Sequence, residues 1–234
     1  MPPPRSSDAR AVRVAGATVL ATVLVVALLA WAVLEQAPPL LRVDRAVADA
    51  LYAGDDRSRL VEGLLQVATA PGLLVVRCVL YLPVLAWLVV RRRWWTAAWV
   101  ATAVLLVSPL TTLLKDAVGR SRPQFPGGGA AYESLSYPSG HASGVTTLVA
   151  VGLLLAWPAL APRARRGWLA AGLVLAVVVG LTRMWLGVHW LSDVVGGEAL
   201  GAAWTLLVAL AFGGLPGGRA ALPERSPAAV EPVR

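Results

Sequence analysis

The sequence predicts an all-α, polytopic membrane protein with six transmembrane helices and short amphipathic extracytoplasmic helices. The 234-residue chain is 57% hydrophobic, and its mean hydropathy is +0.67. Only 15% of its residues are charged, whereas a soluble domain of this size carries about 25%. The apolar residues also come in separate blocks of roughly 20, the length at which a helix crosses a bilayer. The chain is therefore expected to fold mostly in lipid.

The first predicted span covers 14–34 and follows three arginines. Its apolar run is too long for the core of a signal peptide, and no small-residue cleavage site follows, so it is expected to remain as an anchor. The other spans are expected at 72–90, 94–114, 141–160, 168–187 and 190–212. These bounds divide the chain into a cytoplasmic N-terminal segment (1–13), a six-span domain (14–212) and a disordered cytoplasmic tail (213–234) rich in Pro, Gly and Ala.

The segment 35–70 is too acidic to be a span. Its apolar residues recur at helical spacing on both sides of Gly54, which predicts two short amphipathic helices lying at the membrane surface. They serve either as a packing connector or as a rim that guides lipid headgroups into a site. The residues concerned are Asp44, Asp49, Asp55, Asp56 and Glu62 among the acids, and Val43, Val47, Leu51, Leu60, Leu64 and Val67 among the apolar residues.

The placement of arginines predicts the orientation in the membrane. Arg91, Arg92 and Arg93 lie between the second and third spans, and Arg163, Arg165 and Arg166 lie between the fourth and fifth. Because basic loops stay in the cytoplasm, both loops and both termini are expected there. The loops 35–70, 115–140 and 183–189 then face the outside of the cytoplasmic membrane.

Composition also excludes several classes of protein. The formal net charge is +8, but the arginines cluster at block ends and form no basic face interleaved with aromatics, so nucleic acid is not an expected partner. The single cysteine, Cys78, excludes an internal disulfide, and no residue pair has metal-ligand spacing. The abundance of Ala, Val, Gly and Arg is typical of a GC-rich bacterial genome. Nothing in the sequence predicts the oligomeric state.

Three short polar motifs lie at the ends of predicted spans. The first is Lys115-x6-Arg122-Pro123, which holds the only lysine of the chain. A helix would place residues seven apart on one side, and Pro123 would end it or fix the turn. Cations that flank a span would explain one of the two charges. A phosphate dianion needs several positive donors at once, and this motif offers two.

The second motif is Pro138-Ser139-Gly140-His141 and the third is Arg183-x5-His189-x3-Asp193, which together contain both histidines of the chain. Ser139 suits the N-cap of the next span, where free N–H groups favour an anion. His189 and Asp193, at i and i+4 of one helix, would pair, so that Asp193 fixes the tautomer and Nε2 is free to attack. The alternatives are a plain helix cap and a structural His–Asp pair.

In this order and spacing, the three motifs resemble those of the type-2 phosphatidic acid phosphatase superfamily. Thr182 stands where the family usually has Ser before Arg183, which keeps the hydroxyl. The resemblance implies that His189 is the nucleophile, that Asp193 orients it and that His141 is the general acid. It implies phosphate binding by Lys115, Arg122, Ser139, Gly140 and Arg183, with no metal and no other cofactor.

The implied function is a metal-independent phosphatase that removes the phosphate or diphosphate headgroup of a membrane lipid. The alternatives are a phosphotransferase of the same family, with a sugar or lipid as acceptor, and an anion or lipid transporter. Other charged residues are expected to be less important. Glu198 is expected either to support the site or to pair with Arg77, whereas Asp116, Arg120 and Glu133 are expected to be solvated loop residues.

Overall fold

A computed structural model describes residues 6–54, 56–125 and 134–223 of the chain. These ranges contain eight α-helices, so the predicted all-α class is confirmed. The predicted segment 1–13 runs into the first helix, and its residues 1–5 lie outside the described ranges, as does Asp55. The helices are α1 (Ser6–Leu34), α2 (Pro38–Leu51), α3 (Arg59–Thr69), α4 (Leu74–Val90), α5 (Trp94–Val118), α6 (Gly140–Ala156), α7 (Pro162–Trp185) and α8 (Leu191–Phe212).

Within the described residues, five helical segments are long and apolar enough to cross a membrane: α1, α5, α7, α8, and α6 together with the 3-10 turn that extends it to Ala159. A sixth span exists if α3 and α4 are taken as one bent element, because together they also meet the criterion, with a bend of 48° at the break. By itself α4 has 17 residues, which gives a length of about 26 Å against the roughly 30 Å of a bilayer core. The polytopic architecture predicted from the sequence is therefore present.

The break between α3 and α4 places the chain against the start of α6. A single 3-10 turn, Ala70–Gly72, follows α3, and Leu73 is extended. A Cβ atom on Gly72 would lie 2.6 Å from the carbonyl oxygen of His141, so only glycine permits this approach. The guanidinium of Arg77 donates to the Gly72 carbonyl (2.9 Å) and to the Ser108 hydroxyl (2.7 Å), which ties the break to α5.

Helix α8 lies between α1 and α6, with which it makes the most extensive helix contacts in the described structure. A Cβ atom on Gly197 would lie 2.4 Å from the Ser139 carbonyl oxygen, and one on Gly201 would lie 2.5 Å from that of Ser143. The small residues thus bring the backbones of α6 and α8 together, as in many membrane helix pairs. This contact fixes the start of α6 beside the start of α8.

The two predicted amphipathic helices are α2 and α3. On α2, Val47 and Leu51 pack against a core cluster, but Val43 is 52% exposed and the buried polar residue is Asp44. The inward face of α2 is therefore rotated from the one the apolar spacing predicts. On α3 the apolar residues point outward, because Leu64 and Val67 are 60% and 73% exposed, which leaves an apolar surface on the outside of the protein.

The prediction of a disordered tail from Gly213 is wrong for its first part. Residues 213–223 turn back onto α5, and both Leu215 and Ala220 are buried. The Ala220 carbonyl accepts hydrogen bonds from the Thr96 hydroxyl (2.8 Å) and the Trp99 indole N–H (3.3 Å). Buried apolar side chains and these hydrogen bonds offset the conformational entropy that the segment loses on ordering. The Pro- and Gly-rich composition had suggested that this loss would dominate. Residues 224–234 lie outside the described structure.

Candidate active site

The three polar motifs meet at one end of the helical bundle. This end is formed by the C-termini of α5 and α7 and the N-termini of α6 and α8. The loops that join there are 119–125, 134–139 and 186–190. The arginine-rich turns 91–93 and 163–166 belong to the opposite helix ends, so the polar motifs and the basic turns lie at different ends of the protein.

His189 and Asp193 form a buried pair, although not on one helix as predicted. His189 lies in the loop before α8, whereas Asp193 is the third residue of α8. The His189 Nδ1 lies 3.3 Å from Asp193 Oδ2, and the backbone N–H of Trp190 donates to the same oxygen at 2.9 Å. Asp193 thus caps the helix start while it holds the imidazole, which fixes both groups.

Burial keeps the His189 imidazole neutral. It lowers the pKa of His189 to about 3, against the raising effect of the hydrogen bond to Asp193. A neutral imidazole has one N–H, and the adjacent carboxylate assigns it to Nδ1. Nε2 is therefore unprotonated at neutral pH, which is the state a nucleophile requires.

Arg122 lies beside that nitrogen. Its Nη1 is 3.3 Å from His189 Nε2 and donates to the Val188 carbonyl at 2.6 Å. Its Nε donates to the Ser134 carbonyl at 2.7 Å. These bonds hold the guanidinium beside the place where the oxygens of a phosphate would lie if Nε2 attacked its phosphorus.

Lys115 and Arg122 do not share a helix face, contrary to the prediction from their spacing. Helix α5 ends at Val118, and Gly119 reverses the chain in the left-handed region with φ of 67°. The loop then brings both cations to the segment 134–136, where Lys115 Nζ donates to the carbonyls of Leu135 and Ser136, the latter at 3.0 Å. The two charges converge through the loop and not through helical periodicity.

The second motif forms the start of α6. Ser139 occupies the N-cap position, but its hydroxyl makes no capping bond. The Ser139 Oγ is buried and has no hydrogen-bond partner among the described residues, while its backbone N–H donates to the Asp193 carbonyl at 2.9 Å. His141, in the first turn, lies within electrostatic range of Arg183 and His189. A buried, unpartnered hydroxyl at a helix N-terminus fits an anionic ligand.

Arg183 brings a further cation from the last turn of α7. It is 3% exposed, and its Nη1 lies 3.4 Å from the Thr69 hydroxyl of α3. The hydroxyl of Thr182, which replaces the serine of the family pattern, donates to the Val179 carbonyl at 2.6 Å. That hydroxyl is therefore used within its own helix.

Sequence reasoning missed the groups that support Asp193. Arg120 was expected in a solvated loop, but it is buried and donates to Asp193 Oδ1 and to Asp44 Oδ2, each at 2.6 Å. The Ser136 hydroxyl donates to Asp193 Oδ2. Asp44 lies 76 residues before Arg120 in the chain, and no local pattern links them, so the sequence offered no signal for this contact.

Three further expectations concerned charged residues outside the motifs. Asp116 is exposed, as expected for a solvated residue, and Glu133 lies outside the described ranges. The pairing of Arg77 with Glu198 is wrong, because Arg77 binds Gly72 and Ser108 whereas Glu198 faces Gly180 on α7. Among the described residues, no group of three or more His, Cys, Asp or Glu side chains has the arrangement of a metal site.

Comparison with known proteins relates the chain to one family. The model of the PAP2 superfamily matches residues 94–215. Lipid A 1-phosphatase of Rhizobium etli is 36% identical over 129 residues, which are 50% of this chain and 51% of that protein. Phosphatidylglycerophosphatase B of Bacillus subtilis is 39% identical over 103 residues, 42% of this chain and 49% of that protein. The matched region thus spans about half the length of these relatives.

Two further proteins extend the comparison. Decaprenylphosphoryl-5-phosphoribose phosphatase of Mycobacterium tuberculosis is 34% identical over 127 residues, 53% of this chain and 64% of that protein. The crystal structure of a transmembrane PAP2-type phosphatidylglycerolphosphate phosphatase from Bacillus subtilis has a TM-score of 0.68 and 25% sequence identity. It covers 82% of this chain and 94% of that one, so the similarity extends well beyond the residues that carry the motifs.

Proposed function

This chain belongs to the PAP2 superfamily, and we propose that it is a membrane-embedded phosphatase that hydrolyses the phosphate or diphosphate headgroup of a lipid through a phosphohistidine intermediate. The observation that carries the proposal is the arrangement at His189. Its Nδ1 is paired with Asp193, and its unprotonated Nε2 lies 3.3 Å from Arg122 Nη1. A neutral nucleophile beside a fixed guanidinium is the arrangement that phosphoryl transfer to nitrogen requires.

In the first step His189 Nε2 attacks phosphorus and the ester P–O bond breaks. His141, which the bound phosphate dianion stabilises in its protonated form, gives its proton to the leaving oxygen, so an alcohol or a lipid monophosphate departs. Lys115, Arg122 and Arg183 stabilise the charge on the three equatorial oxygens, and the Ser139 hydroxyl and the Gly140 N–H donate to them. Asp193 stabilises the imidazolium that forms as the P–N bond is made.

In the second step water replaces His189 at phosphorus. His141, now neutral, accepts a proton from the attacking water, the P–N bond breaks and inorganic phosphate leaves. His189 returns to the neutral form with its proton on Nδ1. No step draws on a metal ion, because the fixed cations supply the positive charge that a metal would otherwise bring.

The proposed substrates are phosphorylated membrane lipids, which include phosphatidate, phosphatidylglycerol phosphate and prenyl mono- or diphosphates. The relatives support this class, since their names specify lipid A, phosphatidylglycerophosphate and prenyl-linked phosphates. The site lies at the ends of the spans, so the tail of a lipid would stay in the bilayer while its headgroup enters. The proposed location is the outer face of a bacterial cytoplasmic membrane, because the basic turns lie at the opposite helix ends.

The decisive experiment is phosphate release by purified protein in detergent, tested across those lipids. We expect release with at least one of them, a loss of about 10⁴-fold or more in His189→Ala, and a loss of about 10²- to 10⁴-fold in Asp193→Asn. Vanadate should inhibit and EDTA should not. Phosphate release that survives His189→Ala contradicts the phosphohistidine route, and strong inhibition by EDTA contradicts the metal-free mechanism.

The same reactions distinguish a hydrolase from a phosphotransferase. Sugar or lipid acceptors are added, and the products are separated by mass. If phosphorylated acceptor forms in preference to free phosphate, the function is phosphoryl transfer and not hydrolysis. Both activities would require His189. Their loss in His189→Ala therefore distinguishes them from phosphate release that does not use this site.

A further inference from the structure

We propose that Arg120 and Asp44 are positioning residues of the reaction, which hold the Asp193 carboxylate in the place and charge state that His189 needs. The inference rests on the proposed function, because it assigns a role within that catalytic site. It extends the site to α2, a helix outside the three sequence motifs and outside the region 94–215 matched by the family model.

The first support is the geometry of the Arg120 guanidinium. Its Nη1 donates to Asp193 Oδ1 (2.6 Å) and to the Ser192 hydroxyl (2.7 Å), while its Nη2 donates to Asp44 Oδ2 (2.6 Å). One planar group thus spans two carboxylates from different helices, a geometry that arginine provides and lysine does not. By occupying Oδ1, Arg120 leaves Oδ2 of Asp193 directed at His189.

The second support is that both carboxylate oxygens of Asp44 accept hydrogen bonds in this arrangement. It is 1% exposed. Its Oδ1 accepts the backbone N–H of Ser192 (2.9 Å), and its Oδ2 accepts the Ser192 hydroxyl (2.5 Å) as well as Arg120. Asp44 therefore binds the first turn of α8 at the residue just before Asp193, and a buried acid at a helix start is favoured by the helix dipole.

The third support is the balance of charge. Asp44, Arg120 and Asp193 are all buried, and the two acids share one arginine. Removal of Arg120 would leave two carboxylates without their common cation, and a buried unpaired charge is strongly unfavourable. The carboxylates would then take up protons or move apart. In either case Asp193 would lose its role as acceptor of the His189 Nδ1 proton.

An aromatic contact outside the charge network also fixes the position of Arg120. Its guanidinium carbon lies 5.3 Å from the centre of the Trp190 ring, within the range of a cation–π contact. Trp190 is the residue between His189 and α8, and its indole N–H donates to the Ser121 carbonyl at 3.0 Å. Arg120 is thus held between the loop that carries His189 and the helix that carries Asp44.

The test compares kcat and KM for phosphate release by wild-type protein, Arg120→Met, Asp44→Asn and the double variant. Arg120→Met should lower kcat about 100-fold, with KM within about threefold, because the phosphate-binding cations are untouched. The double variant removes one acid together with the arginine. Its kcat should therefore be at least about tenfold higher than that of Arg120→Met. Arg42→Met and Asp49→Asn, exposed substitutions on α2, are the matched controls and should behave like wild type.

The outcomes separate this inference from the proposed function. If wild-type protein and controls release no phosphate, the proposed function fails and this inference fails with it. If they do and Arg120→Met keeps its kcat within about threefold, Arg120 has no positioning role. A folded double variant that is no more active than Arg120→Met shows that the contact is only structural, because lost packing is not restored by removing Asp44.

A further variant covers the case in which Arg120→Met does not fold. Arg120→Lys keeps the charge but cannot span both carboxylates. We expect a correctly folded protein, judged by its melting temperature, with kcat lowered about tenfold at unchanged KM. Wild-type kcat in Arg120→Lys would overturn the proposed bridge.

Discussion

At the scale of a single residue, the proposed role of Ser139 in phosphate binding implies a cost in stability. Its hydroxyl is buried without a hydrogen-bond partner among the described residues, and an unsatisfied buried hydroxyl is unfavourable in the ligand-free protein. In the proposed mechanism, the same hydroxyl gains a partner when a phosphate oxygen lies above the N-terminus of α6. Stability and activity should therefore respond to its removal in opposite directions.

We expect Ser139→Ala to leave the free energy of unfolding unchanged or to raise it by up to about 1 kcal/mol, while kcat/KM falls on the order of 100-fold. The control is Ser143→Ala, four residues further along α6. The Ser143 hydroxyl is already bonded to Thr111 at 3.0 Å, so its loss should destabilise by about 1 kcal/mol. Thermal unfolding in detergent and phosphate release measure the two quantities. Equal destabilisation by both substitutions would contradict the assignment of Ser139 to the phosphate.

His189 predicts a dependence of stability on pH. Burial lowers its pKa from 6.5 to about 3. Between these two values the His189 imidazole binds a proton in the unfolded chain but not in the folded protein. The stabilisation is fully present above pH 6.5 and is lost as the pH falls towards 3. The melting temperature should therefore drop between pH 7 and pH 4 by more in the wild type than in His189→Asn. Identical drops would show that His189 is not held neutral by the fold.

At the scale of helices, the contact between α6 and α8 determines where the residues of the second motif lie relative to Asp193. The contact depends on Gly197, since a Cβ atom there would come within 2.4 Å of the Ser139 carbonyl oxygen. The backbone N–H of Ser139 donates to the Asp193 carbonyl, so a change in this helix spacing moves both sides of the site.

Gly197→Ala should consequently lower stability by about 1–3 kcal/mol through overpacking, and it should lower kcat/KM as well. The control is Gly63→Ala on α3, where an added Cβ meets nothing within 4 Å and alanine favours the helix by about 1 kcal/mol. Both variants are compared by thermal unfolding and by phosphate release. A fully stable and active Gly197→Ala protein would mean that α6 and α8 are not in such close contact.

At the scale of the whole molecule, the two helix ends differ in charge and chemistry, which predicts the orientation in the membrane. We expect a cysteine in place of Ser121, beside the site, to react with a membrane-impermeant maleimide in intact cells. A cysteine in place of Arg91 should react only after permeabilisation. Both changes are made in a Cys78→Ala background, because Cys78 is the only native thiol. The reverse labelling pattern would place the site in the cytoplasm.

Hydropathy and motif spacing were sufficient to predict the helical membrane architecture and the residues of the three motifs. Hydropathy depends on local composition, so most span ends could be placed to within a few residues, although α1 and α7 begin eight and six residues earlier than predicted. The order and spacing of Lys115, His141 and His189 with their neighbours carried the resemblance to the family. The sequence did not determine how the motifs meet, since the expected common helix faces of Lys115 with Arg122 and of His189 with Asp193 are wrong.

The groups that support those motifs could be identified only from the folded protein. Arg120 is indistinguishable in sequence from a solvated loop cation. Asp44 lies in a helix whose apolar spacing predicts that other residues face inward. Their contact with Asp193 joins three segments far apart in the chain. The attraction between the three charges becomes strong only when burial removes them from water, a step that is itself unfavourable. Local patterns report what a segment prefers on its own, whereas a buried charge network depends on every partner at once.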